Sequence, residues 1–375
     1  MAEKKTVGKG MARSKETREH AIKKLEEFGR TMAAEINKGD APQFIMPSRT
    51  KSNTLFDEEK GHVTRGAATS ARKYINTAHT RNFMQSMLVA AACVDYIKQD
   101  RTVMKRELYY NLKHAIEGTN ENTFEDDTES GGVINDLEAS LDIVRTQLHL
   151  QAKGRGSVYG NMKLKQVGHT IDCTKLGRGG WTIPGYVEDV EVVDTDAEFI
   201  LAVENDAMMS RLIEEKAHEK LNCVLVTGEG MFPTAVRRFI KVIQDQTNLP
   251  VYAFNDGDPY GFYIYVVLKY GSIEVAHLAD RLAIPNSKFI GMTMDDIDTY
   301  KLGNVTEKLK DIDKKRIQDL LEYPWIKKHK EWMHQLELME KKGVRIEQQA
   351  LSNKKLDFVI SNYLPEKIEN EIFLP

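Results

Sequence analysis

Between Thr77 and Lys98 apolar residues recur every three or four positions, as Met84, Met87, Leu88, Ala91, Val94 and Ile97. That spacing predicts an amphipathic helix along the whole stretch. A shorter helix is predicted over Thr102–His114 with Thr102 as its N-cap. Beyond the polar, acidic loop Asn120–Ser130, a third helix places Val133, Ile134, Leu137, Leu141 and Val144 on one face. Residues 148–164, LHLQAKGRGSVYGNMKL, then change to a strand–turn–strand pattern with Lys153, Gly154, Arg155 and Gly156 at the tip. Three helices followed by a ribbon with a basic tip predict a winged-helix, CAP-like DNA-binding domain, with Lys153 and Arg155 as DNA-contacting cations.

From residue 191 onward strands and helices alternate. The apolar run Phe199–Glu204 leads into a helix from Ala207 to about Asn222, and Cys223–Gly230 leads into one from about Phe232 to Gln246. The strand at Val251 leads through an acidic turn into a helix near Phe262–Tyr270. Buried strands alternating with amphipathic helices predict a parallel sheet covered on both faces. Residues 275–375 read as mostly helical and highly charged, and the charges of 326–343 form a solvated helix face. The glycines and turns of 166–190 read as a connector. At the other end, residues 1–31 carry nine basic against five acidic side chains, a solvated tail or a phosphate-contacting arm. Its first dozen residues read as disordered, Glu16–Asn37 as a helix, and 38–70 as extended and loop-like. The predicted order is a basic arm (1–70), a winged-helix domain (71–165), a connector (166–190) and an α/β domain with a helical extension (191–375).

Composition narrows the class without naming a chemistry. The chain has 375 residues, 41% hydrophobic and 29% charged, enough for two or three domains with sizeable cores. No apolar run approaches the ~18 residues of a membrane span, and the polar N-terminus does not read as a secretory leader. Cys93, Cys173 and Cys223 are too widely spaced for a zinc motif or a disulfide framework. They read as reduced thiols of a cytoplasmic protein. A formal charge of −3 argues against a uniformly basic coat but not against a local basic patch.

Candidate chemistry concentrates at two places. In LPVYAFNDGDPYG, Asp256 and Asp258 flank Gly257 where a strand breaks into a turn. Glu204 ends an earlier strand of the same predicted sheet, and ligands of such sheets bind at the strands' carboxyl ends. Three carboxylates there repel one another unless a cation sits among them, and Mg²⁺ is the hard cation that takes few protein oxygens and leaves room for phosphate. Each acid alone could be a cap or a turn residue. Glu followed by Asp-x-Asp across a small α/β sheet is the arrangement of a Toprim domain. The second place is KRELYYNLKH, residues 105–114. On a helical wheel Met104, Leu108 and Leu112 define the buried face, with Tyr109 about 100° from its centre and Tyr110 about 200° away. Tyr110 thus points outward, on the side of Arg106 and Lys113. A phenol between cations is a candidate nucleophile, and the same cations would hold a phosphate under attack. Packing for Tyr109 and surface decoration for Tyr110 is the bland alternative.

R-E-L-Y-Y ahead of the predicted ribbon, joined to Glu204 and Asp256/Asp258, closely resembles the A subunit of archaeal type IIB DNA topoisomerases. It is also similar to the meiotic double-strand-break transesterase of eukaryotes. The resemblance runs from about residue 75 to the C-terminus and includes AKGRGSVYG, TGEGMFP, RRFI and EQQALSNKKLDFV. It implies that Tyr110, the second tyrosine, attacks a DNA phosphodiester and forms a 5′-phosphotyrosine, and that Glu204, Asp256 and Asp258 hold Mg²⁺. It implies a homodimer in which each tyrosine works with the partner's acids. It further implies a separate GHKL-class ATPase B subunit, giving an A₂B₂ enzyme that relaxes supercoils by double-strand passage at the nucleoid. The GEG turn lacks the Gly-Lys-Ser/Thr ending of a nucleotide-binding loop, so ATP is expected on the B subunit. Glu229 departs from the lysine expected of many relatives at this turn and receives no catalytic role.

Two other classes stand beside this expectation. A Toprim nuclease or primase would use the acids with water or a nucleotide and leave Tyr110 idle. A winged-helix regulator with a degenerate Toprim fold would leave three convergent acids without a job, as a double-strand-break transesterase without strand passage would not.

Overall fold

The computed structural model describes residues 15–375; the first dozen residues, expected to be disordered, lie outside it. The chain divides into two units. The first comprises residues up to Leu55, Thr64–Lys153 and Ile273–Leu278, and the second comprises Phe56–Val63, Gly154–Ser272 and Ala279–Pro375.

In the first unit the helix Lys15–Asn37 (α1) buries Ala21, Leu25, Phe28 and Met32. Gln43–Pro47 (β1) pairs antiparallel with Thr69–Lys73 (β4); between them in sequence Thr54–Asp57 (β2) pairs with His62–Arg65 (β3), a hairpin whose residues Phe56–Val63 belong to the second unit. Thr77–Lys98 (α2) has the predicted limits, opened by Asn76, whose side chain accepts from the Ala78 N–H. The next helix is shorter than predicted. Val103–Met104 (β5) is a strand, pairing parallel with Leu150–Gln151 (β6), so the helix Lys105–Leu112 (α3) begins after Thr102 instead of at it. The third helix, Asp127–Leu141 (α4), stops at Asp142, which adopts a left-handed backbone (φ 50°), and leaves Val144 outside the helical face. Val89, Cys93, Ile97, Leu108, Phe124, Ile134, Leu137, Leu148 and Leu150 form one core under these helices.

The ribbon predicted over 148–164 is not formed. Leu150–Gln151 stays with the first unit, and the boundary between the units falls between Lys153 and Gly154. Ser157–Gly160 (β7) then pairs antiparallel with Cys223–Thr227 (β13), far along the chain. Met162–Gln166 (β8) joins a separate sheet with His169–Asp172 (β9) and Glu191–Thr195 (β11). Gly156 looked like a turn residue, but it marks a close backbone approach: it has φ 75°, and a Cβ there would collide with the Thr227 carbonyl oxygen. Residues 166–190, read as a connector, carry β9 and Trp181–Thr182 (β10).

The second unit is built on a six-stranded sheet in the order β10-β7-β13-β12-β14-β15, where β12 is Phe199–Val203, β14 is Val251–Phe254 and β15 is Lys288–Gly291. β13, β12, β14 and β15 run parallel. Every residue of β12 and β13 is buried, which is why both read as unbroken apolar runs. The helix predicted over 207–222 is two, Asp206–Glu214 (α5) and Ala217–Lys220 (α6), broken where Lys216 adopts a positive φ of 58°. Thr234–Thr247 (α7) and Pro259–Tyr270 (α8) follow β13 and β14. The remainder is mainly helical: Ala279–Leu282 (α9), Met294–Thr299 (α10), Asp311–Leu321 (α11), Pro324–Lys327 (α12), Lys330–Lys342 (α13) and Leu364–Glu369 (α14), with Glu307–Lys308 (β16) paired to Val344–Arg345 (β17). Among the described residues no helix is long and apolar enough to cross a membrane.

Candidate active site

The tyrosine pair lies on α3 as its helical phase dictates. Tyr109 is 7% exposed and Tyr110 is 60% exposed. The Tyr109 hydroxyl donates to the Glu125 carbonyl (2.9 Å), so it is tied down. Its ring meets that of Tyr110 edge-on at 5.0 Å. The Arg106 guanidinium carbon lies 6.0 Å from the Tyr110 ring centroid. Lys113 departs from expectation: its ammonium donates to the Tyr109 hydroxyl (2.8 Å). That hydrogen bond raises its pKa above the usual lysine value. Helical phase put Lys113 on the side of Tyr110, but its flexible side chain turns to the anchored phenol. Arg106 is left as the cation beside Tyr110.

The acids gather at the carboxyl edge of the sheet in the second unit. Glu204 follows β12 and is 9% exposed; one of its oxygens accepts from the Asp256 N–H (3.0 Å). Asp256 follows β14 and accepts from the Gln348 N–H (2.8 Å). Asp258 is the N-cap of α8, accepting from the N–H groups of Tyr260 (2.9 Å) and Gly261 (2.6 Å), with Pro259 at the first helical position. Each carboxylate therefore has one oxygen fixed by backbone and the other without a hydrogen bond among the described residues. The turn Gly228–Gly230 closes the edge, with the Gly230 N–H donating to the Glu204 carbonyl (2.8 Å).

A segment near the C-terminus straps this turn, and the sequence assigned it no role. Gly257 and Ile346 exchange backbone hydrogen bonds of 2.8 and 3.1 Å. A Cβ on Gly257 would stand 2.7 Å from the Ile346 side chain, so glycine is required between the two acids. The buried Gln348 side chain donates to the Phe254 carbonyl (3.1 Å). Arg345, held by Glu307 (2.7 Å) and Asp313 (3.7 Å), sends its positive charge toward Asp256 and Asp258. The signal in the sequence was the run EQQAL inside the family resemblance, which carries no periodicity of its own.

Electrostatics set these acids apart. Burial, then the charge of Asp256, push Glu204 well above the usual carboxylate range, and Asp258 and Glu347 add to the push. Burial and the charges of Asp258 and Glu347 raise Asp256 against the Gln348 N–H that favours its ionised form. Burial raises Asp258 too, opposed by its two capping N–H groups and Arg345. Among the described residues no three such side chains close on one point, so the cluster is open. An all-oxygen set with a free oxygen on each acid, destabilised by its own repulsion, suits a hard divalent cation.

Of the predicted DNA-contacting cations, Lys153 is exposed in the first unit. Arg155, in the second, donates to the Glu229 carbonyl (3.0 Å) and lies 3.6 Å from its carboxylate. The two do not share a ribbon tip, but Arg155 sits against the turn that carries the Glu204 hydrogen bond.

Residues 199–368 match the family of the Toprim domain shared by Spo11 and the topoisomerase 6 A subunit. Residues 81–150 match "Type IIB DNA topoisomerase", and 153–196 match "All-beta domain in DNA topoisomerase VI alpha subunit". This is a Toprim-bearing type IIB DNA topoisomerase chain. It is 44% identical to the type 2 DNA topoisomerase 6 A subunit of Pyrococcus horikoshii over 364 residues, covering 94% of this chain and 95% of that one. It is 39% identical to the protein of that name from Methanocaldococcus jannaschii (96% and 97% covered) and 37% identical to that from Aeropyrum pernix (90% and 91%). The chain belongs to the family of DNA topoisomerase VI A subunits.

Proposed function

We propose that this chain cleaves and religates duplex DNA through Tyr110, as the A subunit of an ATP-dependent type IIB topoisomerase that relaxes supercoils by double-strand passage. The observation that carries this reading is the contrast on α3: one phenol anchored and buried, its neighbour 60% exposed beside a guanidinium. The Tyr110 oxygen attacks phosphorus, a new P–O bond forms to the phenol, and the P–O3′ bond breaks. The phenol loses its proton and the departing 3′ oxygen gains one. The phosphodiester is exchanged, not hydrolysed, so the 3′-hydroxyl can reverse the step without an energy donor. Arg106 holds the phosphate by a charge-assisted contact.

Glu204, Asp256 and Asp258 are the residues that would hold Mg²⁺, which supplies charge neutralisation at the phosphate and the leaving oxygen. The backbone hydrogen bonds on each acid fix one oxygen and leave the other for the ion. The α2–α4 unit serves as a winged-helix-like DNA-binding module without the 148–164 ribbon, and Lys113, Lys153 and Arg155 contribute to the DNA surface. Cutting two strands takes two tyrosines, hence a homodimer, with a GHKL-class B subunit binding ATP in an A₂B₂ assembly at the nucleoid. The test is to mix the purified chain with such a B subunit, ATP, Mg²⁺ and supercoiled plasmid. Protein covalently attached to DNA 5′ ends is expected from the wild type and Tyr109→Phe but not from Tyr110→Phe. Attachment by Tyr110→Phe would refute the assignment.

A further inference from the structure

Two residues past Asp258, α8 begins a cluster of donors that lack acceptors among the described residues. Arg316 of α11 stacks its guanidinium 4.5 Å from the Tyr263 ring centroid and 5.3 Å from that of Tyr260. The hydroxyls of Tyr260 and Tyr263 make no hydrogen bond among the described residues, and Arg316 Nε is buried without a partner. Its acidic neighbour Asp319 stands at the outer limit of an ion pair, 4.0 Å away. Asp313, on the same helix, is turned to Arg345. Arg237 of α7 is more unusual still. It is 5% exposed, and neither its Nε nor its Nη1 has a hydrogen-bond partner among the described residues. Burial lowers its pKa to about 10 while the Tyr263 phenol works the other way, so at neutral pH it is a cation without a counter-ion among the described residues.

A guanidinium offers five N–H donors and accepts nothing. Buried charges in folded proteins are ordinarily paired, because an unpaired one forfeits its hydration without compensation. Here the Arg316 guanidinium and two phenols meet on the first turns of a twelve-residue helix, and the buried Arg237 charge acts on the same Tyr263. Such a cationic site, with donors that lack acceptors among the described residues, calls for an oxyanion. Resting on the function proposed above, we propose that Arg316, Tyr260 and Tyr263, with the unpaired charge of Arg237, grip a DNA backbone phosphate other than the scissile one. The contact positions the duplex on the Toprim unit and carries no base information.

The test uses the full-length chain in EDTA, where binding is read without cleavage, and a fluorescent duplex titrated by anisotropy across a range of KCl concentrations. Losing one phosphate contact reduces the slope of log K against log salt by about 0.9. Arg316→Gln, at a side chain only a quarter exposed, is expected to show that reduction and to weaken binding equally on unrelated sequences. The double variant Tyr260→Phe/Tyr263→Phe is expected to weaken binding several-fold at an unchanged slope, since it removes donors and no charge. Arg237→Gln is judged only if its thermal melt matches the wild type; Arg316→Gln decides in any case. Wild-type slope and affinity in Arg316→Gln would overturn the proposal. So would a melting-temperature gain with inorganic phosphate that Arg316→Gln abolishes while DNA binding is untouched, because the ligand would then be free phosphate. A reduced slope together with no covalent attachment by the wild-type assembly would keep the grip and fail the cleavage reading. Attachment with an unchanged slope would do the reverse.

Discussion

The two adjacent tyrosines should separate stability from chemistry. Tyr109→Phe removes a hydroxyl from a residue that is 7% exposed and donates to the Glu125 carbonyl. Losing that bond costs about 1 kcal/mol, because the Lys113 ammonium, 3.4 Å away, still donates to the same carbonyl. Lys113, which also used the hydroxyl, is exposed and keeps its contact with that carbonyl and with water. The ring keeps its place in the core and its edge-on contact with Tyr110, so cleavage should persist within a few-fold. Tyr110→Phe removes a hydroxyl with no hydrogen bond among the described residues, on a residue 60% exposed. Its stability should stay within about 0.5 kcal/mol of wild type, while cleavage and relaxation vanish. Urea unfolding followed by circular dichroism gives the first pair of numbers and plasmid relaxation by the assembled enzyme gives the second. A Tyr110→Phe variant that is destabilised and active, beside a Tyr109→Phe variant that is stable and inactive, would refute the helix-face assignment.

Three further outcomes follow from other parts of the molecule. Asp256→Asn, Asp258→Asn and Glu204→Gln each remove an anionic oxygen at nearly constant size, so cleavage should fall and raised Mg²⁺ should partly restore it. Tyr110→Phe should not respond, and equal rescue of all four would remove the distinction between ligand and nucleophile. In the second unit, burial pushes Glu188 up, and the guanidiniums of Arg238 and Arg281, each 2.7 Å away, more than offset it and hold it below the usual carboxylate range. A depressed carboxyl contributes stability above its unfolded pKa of about 4.5 and loses it as pH falls through the folded value. Glu188→Gln should therefore cost about 2 kcal/mol at pH 7 and progressively less below about pH 4.5, and a cost independent of pH in urea titrations would refute that pairing. Finally, mixing Tyr110→Phe chains with Asp256→Asn chains, each inactive alone, should yield an assembly that nicks one strand and makes no double-strand break. In such a heterodimer one site holds both lesions and the other neither; with proven subunit exchange and no nicks, tyrosine and acids would belong to the same chain.

Local periodicity carried much of the fold. Residues 77–98 read as a helix because their apolar spacing is helical, and β12, β13 and β14 read as buried strands because both faces of their sheet are covered. The placement of Glu204, Asp256 and Asp258 at the sheet's carboxyl edge was legible because each comes just after a buried apolar strand. What escaped the sequence depends on partners distant in the chain. Val103–Met104 is a strand because Leu150–Gln151 lies beside it, which no local pattern around Thr102 announces. Alternation in 148–164 was real, but it cannot say which strand each half pairs with, and β7 chose β13 over its neighbour. The strap at 345–348 reaches the acid turn from far along the chain by backbone hydrogen bonds, which leave no mark on side-chain pattern. Lys113 was misplaced because a long flexible side chain follows the nearest acceptor more than its helical phase.

At the centre of the proposed chemistry, the Tyr110 oxygen becomes bonded to DNA. The most direct measurement is to trap the covalent complex in the assembled enzyme, digest the DNA with nuclease and the protein with protease, and locate the residual nucleotide by tandem mass spectrometry. The expected result is a nucleotide joined through its 5′ phosphate to Tyr110 within the peptide containing Glu107–Lys113. A nucleotide on Tyr109, on a residue outside α3, or joined through a 3′ phosphate would contradict it.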